Sequence, residues 1–428
     1  MTYAQALDYI DSFKSQGSKP GLERVAELLA KLGNPQERLR IIHVAGTNGK
    51  GSFCAMLESV LSHAGYRVGA FTSPVLERLN ETFRLNGRDI PDEDLAGVTE
   101  SIRPYVQSMT DLPTEFELYT AMAFVWFARE RCDYVILECG MGGRQDATNV
   151  INRSLLSVIT GISLDHTRFL GSTIEDIAAE KAGILKENTP CLWCGNQRAA
   201  DDVIRSKAEQ MHAELYRVDR STIRIGSAGI DGTLFDFGGY RNLKISLLGL
   251  YQVQNAANVI CAVEILRRLG AAISDQALYA GLASAKWKAR FELMSRNPVV
   301  IYDGGHNPEG VDSAVESVKA YFGDEKLCVV TGVMADKNYA YIARSIAQIA
   351  SHVYCLTPNQ SRSLAAEQYA ETFRSLGTAA DAYPTIPGAV HAALKQCKEQ
   401  SAPLLCIGSL YMYADVKNAL RADSGSLH

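Results

Sequence analysis

The sequence lacks the features that would direct a protein to a membrane or out of the cell. It contains no apolar run of about 18 residues, the length that a helix needs to cross a bilayer. Its longest apolar stretches, such as AMAFVWFA, suit a buried helix. The N-terminal stretch MTYAQALDYIDSFKSQG is polar and has no signal-peptide core. We therefore expect a soluble, cytoplasmic protein that does not bind membranes.

Excess charge and paired cysteines are also missing. A formal net charge of −5 over 428 residues gives no reason to expect nucleic acid as a partner. The ten cysteines are scattered, which fits reduced thiols better than a disulfide framework. One C-x-x-C, formed by Cys191 and Cys194, has neither a second C-x-x-C nor an H-x-x-x-H to complete a zinc site. We interpret this pair as two thiols on a strand rather than as a redox or metal site.

The chain does contain a regular alternation of short apolar runs and longer stretches of helical periodicity, which is typical of parallel βαβ units. The runs are IIHVAG, YRVGAFT, DYVILEC, LLSVITGI, PVVIYDGG, KLCVVTG, HVYCLT and PLLCIGS. Between residues 220 and 250, an alternation interrupted by glycines predicts a small antiparallel β subdomain inside the first domain. The charged stretch SAKWKARFELMSRNP then interrupts the pattern. We place a boundary there, which gives domains 1–288 and 289–428.

The stretch IIHVAGTNGKGSFCAML is similar to a phosphate-binding loop with unusual spacing. The common P-loop is spelled G-x-x-x-x-G-K-[ST]. Here Gly49 and Lys50 are followed by Gly51, so the first hydroxyl, that of Ser52, comes one residue late. The upstream Gly46 stands three residues before Gly49 instead of five. The loop is either a nucleotide site with different spacing or a glycine-rich strand-to-helix turn.

Polar residues follow several of the predicted strands at the point where each strand ends. Ligands of doubly wound sheets bind beyond the carboxyl ends of the strands, so these residues are expected to lie at one site. Glu138 ends its strand in the manner of a Walker-B acid, which holds Mg²⁺. Each residue alone has a structural explanation, such as a core histidine for His166. The positions of the whole set favour a nucleotide site; its members are Thr72, Ser73, Glu138, Asp165, His166, Asp303 and His306.

Lys181 falls in the apolar stripe of a predicted helix, STIEDIAAEKAGILK, which begins with Ser172 and Glu175 in capping-box spacing. A charged amine is costly to bury. Its stem could lie along the surface with the amine in water. Alternatively the amine faces the active site and Mg²⁺ near His166. A neutral amine, or a CO₂ adduct that turns the amine into an anion, would then remove the repulsion between cations.

Several motifs together resemble those of the folylpolyglutamate synthase/dihydrofolate synthase family, which belongs to the ATP-dependent Mur ligases. They are HVAGTNGKGS, FTSP, ECGMGGRQDATN, SLDHTRFLG…AAEKAGI, QNAANV, ARFE and YDGGHNPEG. The phosphate loop of that superfamily is G-x-x-G-K-[GS]-[ST], so the unusual spacing is its normal form. The resemblance implies an α/β fold: a P-loop doubly wound, mainly parallel sheet with a small antiparallel β subdomain, followed by a second Rossmann-like α/β domain.

The resemblance also implies a reaction, in which ATP drives the addition of L-glutamate to tetrahydrofolate through an acyl phosphate. Dihydropteroate is a second candidate substrate. We expect a monomer that uses ATP and two Mg²⁺ ions, with ATP lying between the domains. Two alternatives stay open. Another Mur-type ligase would need a large N-terminal uridine-nucleotide domain, and a P-loop ATPase would turn over ATP without folate or glutamate.

The family's functional residues can be placed on matching positions. The resemblance implies that ATP phosphates are held by Asn48, Gly49, Lys50, Gly51 and Ser52, and that Mg²⁺ is ligated by Ser73, Glu138 and His166. It implies contacts of Asn255 with adenine, Arg290 with phosphate and Asp303 with ribose, with His306 beside them. Lys181 matches a lysine that the family carries as a carbamate. The expected catalytic residues are Lys50, His166, Lys181 and His306. The pterin-holding segments of bifunctional members match Thr114, Glu115, Phe116, Glu117, Gln145, Asp146 and Ala147.

Overall fold

A computed structural model describes residues 1–17 and 19–425. By their contacts these residues divide into two compact units. The first unit comprises Met1–Ser221 and Asn255–Ser284, and the second comprises Thr222–Gln254 and the chain from Ala285 onward. Within the described ranges, no helix combines the length and the apolar character that crossing a bilayer demands.

The first unit is built on one eight-stranded sheet. Its strands are β1 (Ile41–Ala45), β2 (Val68–Phe71), β3 (Phe83–Leu85), β4 (Arg88–Asp89), β5 (Tyr134–Glu138), β6 (Leu156–Ile159), β7 (Cys191–Trp193) and β8 (Leu215–Arg217). They lie in the order β4-β3-β2-β5-β1-β6-β7-β8. Across the sheet, the six strands β2, β5, β1, β6, β7 and β8 pair in parallel. At one edge, β3 is antiparallel to β2 and β4 is antiparallel to β3. The segment that follows β1 therefore leaves from the middle of the sheet.

Helices cover this sheet through separate apolar cores. The helices are α1 (Tyr3–Asp11), α2 (Glu23–Lys31), α3 (Lys50–His63), α4 (Asp92–Gln107), α5 (Glu115–Arg129), α6 (Thr167–Leu170), α7 (Ile174–Ala182), α8 (Arg198–Gln210), most of α9 (Tyr251–Arg268) and α10 (Asp275–Ser284). One core joins buried residues of α1, α2, α4 and α5 to β2 and β5. Another joins α7 and α8 to β6 and β7.

The second unit contains two sheets. A three-stranded antiparallel sheet consists of β9 (Arg224–Gly229), β10 (Gly232–Phe237) and β11 (Tyr240–Ile245). The other strands are β12 (Glu292–Arg296), β13 (Val299–Asp303), β14 (Leu327–Thr331), β15 (Ala350–Leu356), β16 (Ala380–Tyr383) and β17 (Leu404–Ile407). They lie in the order β12-β13-β17-β14-β15-β16, and only β12 is antiparallel to its neighbour. The helices are α11 (Pro308–Phe322), α12 (Tyr339–Ala347), α13 (Ala366–Ser375), α14 (Ile386–Gln400) and α15 (Tyr413–Gly425).

The predicted fold class is confirmed, including the antiparallel β subdomain and the second α/β domain. One detail differs, because the antiparallel sheet belongs by its contacts to the second unit and not to the first. Shortly after β11, the amides of Gly249 and Leu250 donate to the Tyr321 hydroxyl (2.8 Å) and the Ser317 Oγ (2.9 Å) of α11. Chain order could not reveal these long-range contacts. The domain boundary between residues 288 and 289 stays a prediction.

The cysteines behave as the sequence predicts. All ten are free thiols. Cys191 lies on β7 and Cys194 directly follows it, and both are buried. Burial raises the pKa of Cys191 to about 12, which keeps this thiol protonated and unreactive near neutral pH.

Candidate active site

The loop after β1 turns tightly into α3 and is held by the end of β6. Gly49 precedes the helix with a φ of 86°, in the left-handed region that favours glycine. At Gly46, an added Cβ would lie 1.8 Å from the Thr160 Oγ1. The Thr160 hydroxyl donates to the Asn48 carbonyl over 2.7 Å. The two glycines are therefore required by a left-handed turn and by a close approach, and they shape an open strand-to-helix loop.

Two lysine amines converge on one carbonyl of this loop. The Nζ of Lys50 donates to the Gly46 carbonyl over 3.0 Å, and the Nζ of Lys181 donates to the same oxygen over 2.9 Å. Lys181 is only 4% exposed. Burial and the nearby Lys50 charge lower the pKa of the Lys181 amine to about 7. The amine of Lys181 therefore faces the phosphate loop and does not extend into water.

The helix that carries Lys181 begins one residue later than the sequence suggests. Its N-cap is Thr173, whose hydroxyl accepts from the amide of Asp176 in a complete capping box. The predicted pair of Ser172 and Glu175 was wrong, because both pairs have the same S/T-x-x-D/E spacing and sequence cannot rank them. The predicted apolar face is confirmed, since Lys181 is buried together with Ile177 and Ala178 of the same helix.

Ser73 and Glu138 come together at the carboxyl ends of neighbouring strands. Glu138 is 3% exposed, and its Oε2 accepts from the Ser73 amide over 3.3 Å. Val44 lies opposite Glu138 in the register of β1 and β5, so the carboxylate stands beside the start of the phosphate loop. Mg²⁺ in nucleotide sites takes one or two hard oxygen ligands from the protein and the rest from phosphate and water. The buried carboxylate of Glu138, beside the backbone of Ser73, offers one such hard oxygen.

His166 occupies an exposed loop after β6. Its side chain is 45% exposed, its φ is 51°, and its amide donates to Asp165 Oδ1 over 2.8 Å. The alternative of a buried core histidine is therefore excluded. Over the described part of the chain, no three His, Cys, Asp or Glu side chains are grouped so that they could hold a metal ion. The three-residue ligand set Ser73, Glu138 and His166 stays a prediction.

The segment Thr114–Glu117 forms the start of α5, where two of its four side chains cap the helix. The Thr114 hydroxyl accepts from the Glu117 amide, and the Glu117 carboxylate accepts from the Thr114 amide over 2.7 Å. Arg24 adds two hydrogen bonds of 3.0 Å to the same buried carboxylate. Phe116 lies against the loop after β5, since a Cβ added at Gly140 would lie 2.7 Å from its ring. Phe116 therefore reaches the loop that leads to the second predicted pterin segment.

The second pterin segment places its residues differently. Gln145 is exposed, whereas Asp146 and Ala147 are buried. Asp146 Oδ2 accepts from the Met141 amide over 2.9 Å, so this carboxylate closes the turn that contains it. Burial raises the pKa of Asp146, and its hydrogen bonds oppose that rise. Glu115 accepts from the Tyr119 hydroxyl over 2.7 Å.

Asn255 lies at the phosphate loop. A Cβ added at Gly49 would be 2.7 Å from the Asn255 Oδ1, so the amide side chain packs directly against the turn that precedes α3. This position adds a side-chain amide to the phosphate loop. The predicted contact of Asn255 with adenine is untested and stays a prediction.

In the second unit, Asp303 holds the turn around Arg290. Asp303 is 2% exposed; its Oδ2 accepts from the Tyr251 hydroxyl (2.8 Å) and the Phe291 amide (2.9 Å), and its Oδ1 from the Gly305 amide (2.7 Å). Burial raises the pKa of Asp303 while the Arg290 charge lowers it. The ribose contact predicted for Asp303 stays a prediction. The observed hydrogen bonds show that this carboxylate stabilises the turn that contains Arg290.

Arg290 itself stands between two residues in the left-handed region. Ala289 has a φ of 56° and Phe291 a φ of 48°. Such angles are uncommon for residues other than glycine and mark a turn that its surroundings hold in place. The Arg290 Nη1 donates to the Ala289 carbonyl over 3.0 Å, and His306 Nδ1 lies 2.9 Å from the Gly304 carbonyl.

Sequence inspection missed several residues that build these sites. Thr160 braces the phosphate loop, Arg24 binds Glu117, and Tyr251 binds Asp303. His43 and Thr148 form a buried hydrogen bond below the turn closed by Asp146. Thr148 lies inside the motif GMGGRQDATN, and His43 is a polar residue in the middle of an apolar strand. Both signals were present in the sequence, whereas the contacts of Arg24 and Tyr251 left none.

Comparison with known proteins identifies the family. Residues 44–263 match the Mur ligase middle domain, and residues 289–410 match the glutamate ligase domain of Mur ligases. The dihydrofolate synthase/folylpolyglutamate synthase of Bacillus subtilis (strain 168) is 38% identical over 432 residues, covering 98% of this chain and 99% of that protein.

Solved structures agree with that match. The structure of E. coli FolC in complex with DHPP and ADP has a TM-score of 0.86 at 31% identity and covers 99% of both chains. The Mycobacterium tuberculosis folylpolyglutamate synthase complexed with ADP and AMPPCP has a TM-score of 0.88 at 28% identity, again over 99% of both chains. The chain therefore belongs to the folylpolyglutamate synthase/dihydrofolate synthase family of Mur ligases and is an ATP-dependent ligase.

Proposed function

We propose that this ligase adds L-glutamate to a folate substrate by ATP-driven amide bond formation. A carboxylate oxygen of the folate attacks the γ-phosphorus of ATP, which gives an acyl phosphate and releases ADP. The amine of L-glutamate then attacks the acyl carbon, loses a proton and expels inorganic phosphate. The observation that carries the proposal is the position of the Lys50 amine at the Gly46 carbonyl of the phosphate loop, where its charge would neutralise phosphate, with the buried Lys181 amine beside it.

The phosphate-binding part of the site follows from the loop geometry. We propose that Lys50 and the backbone amides of Asn48, Gly49, Gly51 and Ser52 bind the ATP phosphates, since such donors stabilise charge that moves during phosphoryl transfer. Ser73, Glu138 and His166 are the proposed holders of Mg²⁺. When bound, this ion supplies further positive charge to the phosphates; a second Mg²⁺ belongs to the same proposal.

Lys181 is proposed to act as a carbamate. An amine whose pKa is near 7 is largely neutral at slightly alkaline pH, and only the neutral amine can add CO₂. Its addition forms a C–N bond and releases one proton, leaving an anion beside Lys50. Lys181→Ala should lose activity, and short carboxylates such as acetate should restore part of it. Absence of any rescue over a wide carboxylate range would contradict the carbamate and leave the ligase proposal standing.

The folate substrate is proposed to lie against Phe116 and the turn of Gln145, Asp146 and Ala147, with Thr114, Glu115 and Glu117 behind them. The decisive experiment follows ADP release with ATP and L-glutamate, offering dihydropteroate in one reaction and tetrahydrofolate in another. Release with both substrates indicates a bifunctional enzyme, and release with tetrahydrofolate alone a monofunctional one. Release that needs neither folate nor glutamate would contradict the ligase proposal in favour of a simple ATPase.

Further residues are proposed to contact ATP or to act in catalysis. Asn255 is assigned to adenine, Arg290 to phosphate and Asp303 to ribose, with His306 as a catalytic residue. We also propose that the enzyme works in the cytoplasm as a monomer. Sedimentation of the full chain with and without ATP would show any larger assembly.

A further inference from the structure

A buried histidine lies below the turn that is proposed to hold the folate. His43 stands in the middle of β1 and is 0% exposed. Burial lowers the pKa of its imidazole to about 3, so the ring is neutral at physiological pH. A neutral imidazole donates from one nitrogen only, and its neighbours decide which one.

The neighbours of His43 fix that choice. Its Nε2 lies 2.9 Å from the Thr148 Oγ1 and 3.2 Å from the Cys139 Sγ. The Thr148 hydroxyl lies 2.5 Å from Asp146 Oδ1 and 3.4 Å from the Cys139 Sγ, and the carboxylate is the stronger acceptor of its single proton. With the proton directed to Asp146, the hydroxyl accepts from His43, and this assigns the ring proton to Nε2. Its Nδ1 has no hydrogen-bond partner among the described residues, which leaves the Nε2 side as the ring's polar attachment.

Asp146 carries this chain of hydrogen bonds into the turn. Its Oδ1 also accepts from the Thr148 amide over 3.0 Å, and its Oδ2 accepts from the Met141 amide over 2.9 Å. The three side chains of His43, Thr148 and Asp146 thus connect the central strand β1 to the turn 140–146. All three are buried, so no bulk water competes for these bonds.

The turn has a narrow fit on its other sides. At Gly140 a Cβ would meet the Phe116 ring at 2.7 Å, and at Gly143 it would meet the Glu180 carbonyl of α7 at 2.7 Å. A change in the direction of Asp146 would therefore shift the backbone relative to Phe116. The same turn also lies against the backbone of Lys181, whose amine donates to the Gly46 carbonyl. Because the phosphate loop has a second brace in Thr160, the ATP side of the site should respond less to such a shift than the folate side.

We propose that His43 is a positioning residue for folate binding: its Nε2–H orients the Thr148 hydroxyl, which fixes Asp146 and the turn 140–146. This inference rests on the proposed function, because the turn is where the folate is proposed to lie. His43 acts through Thr148 and Asp146. It neither touches the substrate nor exchanges a proton during the reaction.

The test compares three variants of the full-length enzyme. His43→Leu keeps the volume of the ring but removes the donor, whereas His43→Gln places an amide N–H near the position of Nε2. Thr148→Val removes the hydroxyl at nearly constant shape. We expect His43→Leu and Thr148→Val each to raise the KM for tetrahydrofolate about tenfold, since a broken buried hydrogen bond typically costs that much. The KM for ATP should rise clearly less than the KM for folate, and His43→Gln should restore most of the folate KM.

A double variant sharpens the result. If the two residues act in one chain, His43→Leu combined with Thr148→Val should raise the folate KM by little more than either change alone, because partners of one interaction are not additive. Multiplied effects, equal losses for ATP and folate, or a His43→Gln variant no better than His43→Leu would each overturn the proposal.

A second readout does not depend on the enzyme's substrate. Amide hydrogen exchange of Met141 and its neighbours, measured without ligand, should be about tenfold faster in His43→Leu and close to wild type in His43→Gln. Unchanged exchange in His43→Leu would overturn the inference even in an active ligase. Conversely, a wild type that never ligates glutamate would contradict the proposed function while the exchange result still decides the role of His43. If His43→Leu fails to fold, His43→Gln against His43→Asn, whose shorter amide reaches only the Nδ1 position, gives the same comparison.

Discussion

Buried charged groups follow a central strand in both units, in the phosphate loop of the first unit and in the Arg290 turn of the second unit. The two regions differ in whether these groups have enough hydrogen-bond partners. In the first, the amines of Lys50 and Lys181 share one carbonyl, and the Lys181 amine is buried with its pKa lowered. In the second, the Asp303 carboxylate accepts three hydrogen bonds from its own chain. The lysine pair is electrostatically strained, whereas the carboxylate is satisfied.

This difference separates residues that work on a ligand from residues that hold a shape. The Lys50 cation, which lies beside a buried amine of lowered pKa, gains when an anion arrives, as expected of a phosphate site. The Asp303 carboxylate, with three internal donors, stabilises a turn that includes two left-handed residues before any ligand binds. Substitution of Lys50 should therefore affect activity most, whereas substitution of Asp303 should affect stability most.

The largest expected effect follows from Lys50→Ala. Removing a preorganised cation from phosphoryl transfer should reduce the rate of ADP release by about 10³-fold, or about 4 kcal/mol of transition-state stabilisation. Folding should be nearly unaffected, because Lys181 still donates to the Gly46 carbonyl. Removal of the Lys50 charge should also raise the pKa of Lys181, since that charge helps to lower it. Steady-state ADP release and thermal unfolding measure the two properties.

Lys207→Ala is the matched control for this substitution, because the amine of Lys207 contacts Gln210 on the same turn of α8. The control should keep both activity and stability. Wild-type-like ADP release by Lys50→Ala would break the comparison, since the lysine pair would then not be a phosphate site.

The fold was predictable to the level of its elements, because strands buried on both faces leave continuous apolar runs in a sequence. All eight predicted runs are strands, and the phosphate loop has the expected strand-to-helix geometry. The assignment of the antiparallel sheet failed, because it depends on the contacts of Gly249 and Leu250 with α11. Such long-range hydrogen bonds leave no periodicity in the chain.

The candidate site was predictable in position but less so in the task of each residue. A strand-end carboxylate has the same sequence signal whether it faces a ligand or its own turn, and only the structure shows that Asp303 accepts from its own turn. Lys181 was the informative exception, because its place in an apolar helical stripe left two alternatives, an amine in water or one that faces the active site. The structure shows the buried amine at the Gly46 carbonyl. Asp146 and Glu117 lie in segments that match the family's motifs, yet in the structure both carboxylates accept hydrogen bonds from backbone amides of their own segments.

The second prediction concerns stability in the Arg290 turn. Asp303→Ala leaves the Tyr251 hydroxyl and two amides without their acceptor and should lower the free energy of unfolding of the second unit by about 3 kcal/mol. Asp324→Ala, an exposed site in the same unit, should change it by less than about 0.5 kcal/mol. Urea unfolding followed by hydrogen exchange of peptides from the second unit measures the difference. A stable Asp303→Ala variant would show that the carboxylate is not structural.

The third prediction is a pH dependence that belongs to the lysine pair. The pKa of Lys181 is about 7 in the folded chain and takes its ordinary value of 10.5 when unfolded. Between these values the unfolded state binds more protons, so stability rises with pH. The penalty for burying the charged amine is complete below pH 7 and fades above it. Relative to Lys181→Met, the wild type should therefore gain about 2 kcal/mol between pH 7 and about 9.

The control for this measurement lies within the pair of proteins compared. The pKa of Lys186 is also lowered, to about 8, but this lysine is present in both proteins and its contribution cancels. Lys181→Met should be the more stable protein at about pH 6, where the buried wild-type amine carries its full charge. A stability difference that does not change with pH would mean that the Lys181 amine is solvated or permanently paired in the folded chain.

The smallest expected effect tests whether the three donors to the Asp303 carboxylate contribute similarly to stability. Tyr251→Phe removes one hydroxyl and leaves the amides of Phe291 and Gly305 in place. We expect a loss of about 1 kcal/mol in the free energy of unfolding, the usual contribution of one hydrogen bond. The pKa of Asp303 should rise, because the hydrogen bond from Tyr251 helps to lower it. Combined with Asp303→Ala, the hydroxyl should have almost no further effect, because its partner is already gone. If the two losses of stability were additive, Tyr251 would instead stabilise the fold through the packing of its ring. That ring lies close to Gly249, where an added Cβ would be 2.8 Å from it.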